Sequence, residues 1–228
     1  MSPVAVYEKV HTRARQCFLW AGLLVALCYL SLVFHLLEGP LFSLVYYGNL
    51  NLLFYNVVSA GYILLVVLCL RKRITAATGV KLCVPVSQPL TLQRRAAVYV
   101  MTVAPILLVA ILLGMQFKIV YMLGTRVSGM TALGNGAGYV LAAAKLFAAT
   151  AVVFLVQSGM EEVLGKKTWI PFGGLAAMLT FGVLDWIIAP SLLSPIYLIL
   201  YGYMGVLALV TRGRFFVTWI LALVLYIF

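Results

Sequence analysis

The chain has 228 residues, of which 65% are hydrophobic and 9% charged, with a formal net charge of +11. Soluble domains hold about 45–50% apolar and about 25% charged residues, so too few polar side chains exist here to cover a soluble core. The composition excludes an ordinary soluble fold, and the placement of the basic residues between apolar runs excludes a nucleic-acid face.

A membrane span needs about 20 predominantly apolar residues. The first candidate runs from Cys17 to Leu37. It is too long for the apolar core of a cleaved signal, and no small-x-small cleavage site precedes Glu38-Gly39-Pro40. Further spans are expected at 52–70, 97–117, 138–160, 169–189, 195–211 and 215–228, which predicts an all-α polytopic bundle of about seven helices. The stretch 41–51, with Tyr46, Tyr47 and two asparagines, is expected at the headgroup level. The last segment is short, about 21 Å at 1.5 Å per residue, and either spans thinly or inserts part-way.

Two loops draw notice. Residues 71–96 carry Pro and basic residues and are expected to be irregular, lying on the anionic leaflet. Residues 124–138 are Gly-rich and are expected to form a mobile outer cap; they lack the strand and Lys of a phosphate loop. No internal repeat is evident. The chain is read as one membrane domain over 1–228, with amino-terminal helices and loops in 1–137 and a carboxy-terminal core in 138–228.

Cytoplasmic loops collect Lys and Arg. With the amino terminus inside, 13 of the 16 basic residues fall on the cytoplasmic side, from Lys9 through Arg214. Lys118 and Arg126 fall on the other side, and Lys145 within a span. The four cysteines (Cys17, Cys28, Cys69, Cys83) show no metal or disulfide spacing, and no cofactor motif is present.

Acidic residues are scarce: Glu8, Glu38, Glu161, Glu162 and Asp185. An ionisable group at membrane depth costs about 2.5–3.5 kcal/mol on insertion scales and marks a functional position by default. Asp185 is such a group, and Lys145 is its obvious partner if its role is structural. Glu162 and Lys166 form an i, i+4 pair, which leaves Glu161 free to act as a general base; the alternative is an interfacial acidic pair beside Lys166 and Lys167. Gly202-x-x-Gly205 and Gly173-Gly174 permit close helix approach, within one bundle or between chains.

Glu161-Glu162-Val-Leu-Gly-Lys166, then Phe181-Gly-Val-Leu-Asp185, then the tail from Ile199 to Phe228 with its turn at Gly213, resemble the motif helices of the CAAX protease and bacteriocin-processing (CPBP) family of intramembrane endopeptidases. The likeness covers roughly the last 90 residues. It implies Glu161 as the base that activates water, Glu162 and Lys166 as its support, Asp185 at the first histidine position, Ala222 at the second, and Tyr226 near the oxyanion. Both histidine positions are thus lost, and His11 and His35 lie outside the motifs. An ionised Asp cannot donate a hydrogen bond, and a turn near Lys167 sets Glu161 and Asp185 about 18 Å apart in depth. The expectation is a protease-like bundle without protease chemistry: a non-enzymatic binding or accessory subunit. Its partners would be the lipid bilayer and another membrane protein or hydrophobic peptide, and its location, by the family's distribution, a bacterial plasma membrane. The alternatives are a glutamate-type intramembrane endopeptidase with altered motifs, and a small carrier with Asp185 and Lys145 on its path.

Overall fold

The computed structural model describes residues 3–33, 48–84, 90–113, 132–188 and 194–228, and among these there are helices and turns but no strand. In chain order they form α1 (Pro3–Leu30), α2 (Gly48–Thr78), α3 (Leu92–Leu112), α4 (Ala132–Leu164), α5 (Phe172–Ala177), a π-helical stretch (Met178–Gly182), α6 (Val183–Ile188), α7 (Ser194–Val210) and α8 (Phe215–Ile227). From α5 to α6 the chain runs as one rod. The segments Phe54–Thr78, Leu92–Leu112 and Ala137–Leu164 are long and apolar enough to cross a membrane, while the apolar segments from 172 onward are shorter. The fold is that of an all-α, multi-pass membrane protein.

Helix α4 is the axis. Its buried face is built from small residues, Ala144, Ala148, Ala149 and Ala151, with Leu146, Phe147 and Leu155 between them. Small side chains let neighbouring backbones come close, and dispersion then holds helices that lipid would otherwise solvate equally well. Helices α1, α2, α5, α7 and α8 all pack against α4, and α1 and α2 also pack on each other. Helix α3 packs lightly on α7 and α8, leaving Leu107, Leu108, Ile111 and Leu112 exposed.

Long-range contacts fix the directions. Arg13, early in α1, reaches Thr78 at the end of α2 and Glu162 at the end of α4. Tyr29, late in α1, reaches Asp185. Arg94, at the start of α3, reaches Val210 at the end of α7. Arg13, Arg94, Lys166, Lys167 and Arg212 therefore share one basic end of the bundle, and Tyr29, Lys145 and Asp185 lie toward the other.

Two expectations change. Residues 71–78 are not loop: α2 continues through Arg71-Lys72-Arg73, which are good helix formers, and buries Ile74. It stops at Gly79, whose φ of +72° suits glycine, and Arg13 Nε donates to the Thr78 carbonyl at 2.6 Å. Residues 132–138 of the Gly-rich segment are the first turns of α4; extending a helix gains a hydrogen bond per residue fixed, which offsets glycine's cost of about 1 kcal/mol. Residues 34–47 and 114–131, and with them His35 and most of both the headgroup-level stretch and the outer cap, lie outside the described residues.

The glycine pairs pack within the chain. A Cβ on Gly205 would stand 2.6 Å from Gly174 Cα, and one on Gly174 would collide with the Gly202 carbonyl. Only hydrogen fits between α5 and α7 there.

Candidate functional site

The polar cluster at Asp185 begins with register. Helices α4 and α5–α6 run antiparallel: the Gly173 amide donates to Gln157 Oε1 at 3.2 Å, and twelve residues away along each rod Lys145 Nζ donates to Asp185 Oδ1 at 2.8 Å. The π-helical stretch Met178–Gly182 lies just before Asp185. Such insertions rotate the residues after them and often occur at functional positions.

Asp185 and Lys145 side chains are 24% and 27% exposed. Tyr201, itself buried, donates to Asp185 Oδ2 at 3.0 Å. Tyr29 lies 3.3 Å from Asp185 Oδ1 and 3.2 Å from the Phe181 carbonyl. A phenol has one proton, so Tyr29 serves either acceptor in turn. Around this cluster Tyr29 and Tyr201 flank the Phe181 ring at 5.7 and 5.8 Å. A carboxylate held by one ammonium and two phenols is neutralised in place, as a charge in a low-dielectric setting must be.

The Glu pair occupies the basic end. Glu162 is bound by Arg13 Nη1 at 2.7 Å. The expected Glu162–Lys166 pair does not form, because α4 ends at Leu164 and Gly165 turns with φ +63°; beyond a helix end the i, i+4 neighbourhood is lost. Glu161 accepts from Gln157 Nε2 at 3.2 Å. Gln157 also donates to the Ile170 carbonyl at 3.3 Å, so one buried amide braces Glu161, the 165–171 turn and the start of α5.

Glu161 and Asp185 are thus not one site. Asp185 pairs with Lys145, and Lys145 lies sixteen residues before Glu161 on α4, about 24 Å along a helix. Tyr226, assigned beside an oxyanion near Glu161, instead stacks on Tyr197 at 5.0 Å and meets Tyr139 edge-on at 6.2 Å. Tyr139 is near the start of α4, so Tyr226 belongs to the end opposite Glu161. Ala222 is fully buried in α8. His11 lines a shallow groove with Arg15, Phe18 and Val163. Among the described residues no group of three His, Cys, Asp or Glu gathers to hold a metal ion.

Sequence reasoning missed Tyr29, Tyr201, Gln157 and Arg13. Gln157 was the most accessible of these, as an uncharged polar residue one turn before Glu161 within an apolar helix.

No protein-family model matches the chain. No curated protein and no solved structure matches it either.

Proposed function

We propose that this chain is a non-enzymatic binding or accessory subunit of a membrane complex. It uses a seven-span bundle similar to that of CPBP proteases, with degenerate motifs. In this reading the basic end and the amino terminus face the cytoplasm of a bacterial plasma membrane, as the positive-inside bias favours.

One observation carries the reading. The three carboxylates that a protease would combine are split between two places about 24 Å apart along α4, and two are already ion-paired: Asp185 with Lys145 and Glu162 with Arg13. General-base catalysis needs a carboxylate within one water of the reacting group, with an electrophile-stabilising donor opposite. Glu161 has instead the Gln157 amide.

The test is a comparison of wild type with Glu161→Ala and Asp185→Ala, each purified and shown to be folded. Partner co-purification is expected to persist in Glu161→Ala. A specific peptide product made by wild type and absent with folded Glu161→Ala would end the non-enzymatic reading. The Lys145–Asp185 pair supports a second reading, a carrier. Solute flux in liposomes that is abolished by Asp185→Asn would establish it.

A further inference from the structure

The basic end holds a cavity of about 480 Å³, open between α4, the 165–171 turn, the end of α7 and the start of α3. Arg94, Lys167 and Arg212 line it against one carboxylate, Glu161. Neither Lys167 nor Arg212 forms an ion pair with any described residue. Arg94 gives one N–H to the Val210 carbonyl at 3.2 Å, and its other donors remain. It also lies close enough to Arg212 and Arg214 to feel their like charge. Three cations converge here against one carboxylate, which leaves the cavity with an excess of positive charge.

The backbone adds a second, independent observation. Helix α7 ends with the Gly213 amide donating to the Ala208 carbonyl at 2.9 Å and the Arg212 amide to Leu209 at 3.3 Å. This bonding pattern places the residue after the cap in the left-handed region, where glycine is usual. Here that residue is Arg212, at φ +54°, followed by Gly213 at +71°. An L side chain is strained there, and strain retained by a fold concentrates at ligand-binding positions. What the strain holds in place is a guanidinium on the cavity wall. At the rim, Trp169 is 87% exposed and Ile170 is also exposed, which places the mouth at the headgroup level, where tryptophan partitions.

We propose that this cavity binds the phosphate group of an anionic membrane lipid, gripped by Arg94, Lys167 and Arg212, with Trp169 beside the glycerol region. Guanidinium forks match phosphate oxygens in pairs, and basic pockets between spanning helices select anionic headgroups. The Gln157–Glu161 bond keeps the one acid turned to its own donor. The proposal rests on Glu161 being a wall residue and not a catalytic base. The two ideas fail separately: a cleavage assay on Glu161→Ala tests the first, and lipid preference in Arg212→Gly tests this one.

The experiment is native mass spectrometry of the detergent-purified protein, titrated with phosphatidylglycerol, phosphatidylcholine or inorganic phosphate. Wild type is expected to prefer phosphatidylglycerol. Arg212→Gly removes the cation and relieves the backbone, so it should melt no lower than wild type yet bind phosphatidylglycerol about fivefold more weakly, the share of one basic residue at a membrane surface. Phosphatidylcholine carries the same phosphodiester but also a cationic choline that the cluster repels, so its binding should fall by less, and Lys167→Gln, in a turn where folding is not at risk, should weaken phosphatidylglycerol similarly. Arg212-dependent binding of inorganic phosphate alone would uphold the anion site with a soluble source. Equal binding of the two lipids by wild type, or a preference untouched by both substitutions, overturns the proposal.

Discussion

Lys145 and Asp185 meet at 2.8 Å across the α4–α6 contact, and each side chain is about three-quarters shielded. Removing one partner of such a pair leaves the other charged in a poorly solvated place, whereas replacing both with apolar groups of similar volume often costs little. Lys145→Met is therefore expected to lower unfolding free energy by roughly 3 kcal/mol, and Lys145→Met with Asp185→Asn, which removes both charges and keeps an acceptor for the buried Tyr201 phenol, to recover most of that loss. Thermal unfolding in detergent measures both. Additive losses in the double variant would mean that the pair is not the unit.

Arg13 joins three helices at the basic end: Nη1 to Glu162 at 2.7 Å and Nε to the Thr78 carbonyl at 2.6 Å. Its side chain is about half exposed, so the ion pair alone contributes at most about 1 kcal/mol. The bond to the last carbonyls of α2 adds a helix-end interaction of similar size. An ammonium on a flexible stem does not reproduce the two-directional fork. Arg13→Lys is expected to lose about 1 kcal/mol and to raise amide exchange at Thr78 and Gly79. Exchange unchanged there would show that α2 ends without help from α1.

The helical class was legible in the sequence, and the expected spans at 52–70, 97–117 and 138–160 fall on the three helices long and apolar enough to cross a membrane. The ends were not. The Arg71-Lys72-Arg73 run looked like a loop because charge marks a membrane boundary, but charge does not stop a helix; Gly79 does. The Lys145–Asp185 contact was also readable, since two charges at depth must find partners. Its phenol donors were not, because Tyr29 and Tyr201 are ordinary residues of apolar helices until α1 and α7 converge on α6. The Glu162 partner was misread for a local reason: a sequence neighbour was chosen where the helix had already ended, and the true partner lay on α1.

Close packing of α5 against α7 depends on Gly174 and Gly205, whose backbones leave no room for a methyl group. Gly174→Ala is expected to cost roughly 1–3 kcal/mol, the usual range for overpacking. Gly61→Ala on α2 meets nothing within 4 Å, and should instead stabilise by about 0.5–1 kcal/mol through helix propensity. Melting temperatures of the two variants should move in opposite directions. A drop for both would mean that glycine matters here through something other than contact.

Cys83 supplies a pH test. Burial pushes its thiol up from 9.0 to about 11, against the opposing pull of Arg71. The folded chain then holds the proton between those two values while the unfolded chain releases it, so Cys83 contributes stability that is full below pH 9 and declines as pH rises toward 11. The thiolate is the reactive form. In a chain with Cys17, Cys28 and Cys69 replaced by alanine, alkylation of Cys83 by iodoacetamide should rise about tenfold per pH unit from pH 8 to 10 without levelling. A rate that levels near pH 9 would show a thiol in ordinary contact with water, and the turn at 80–84 would then not close over it.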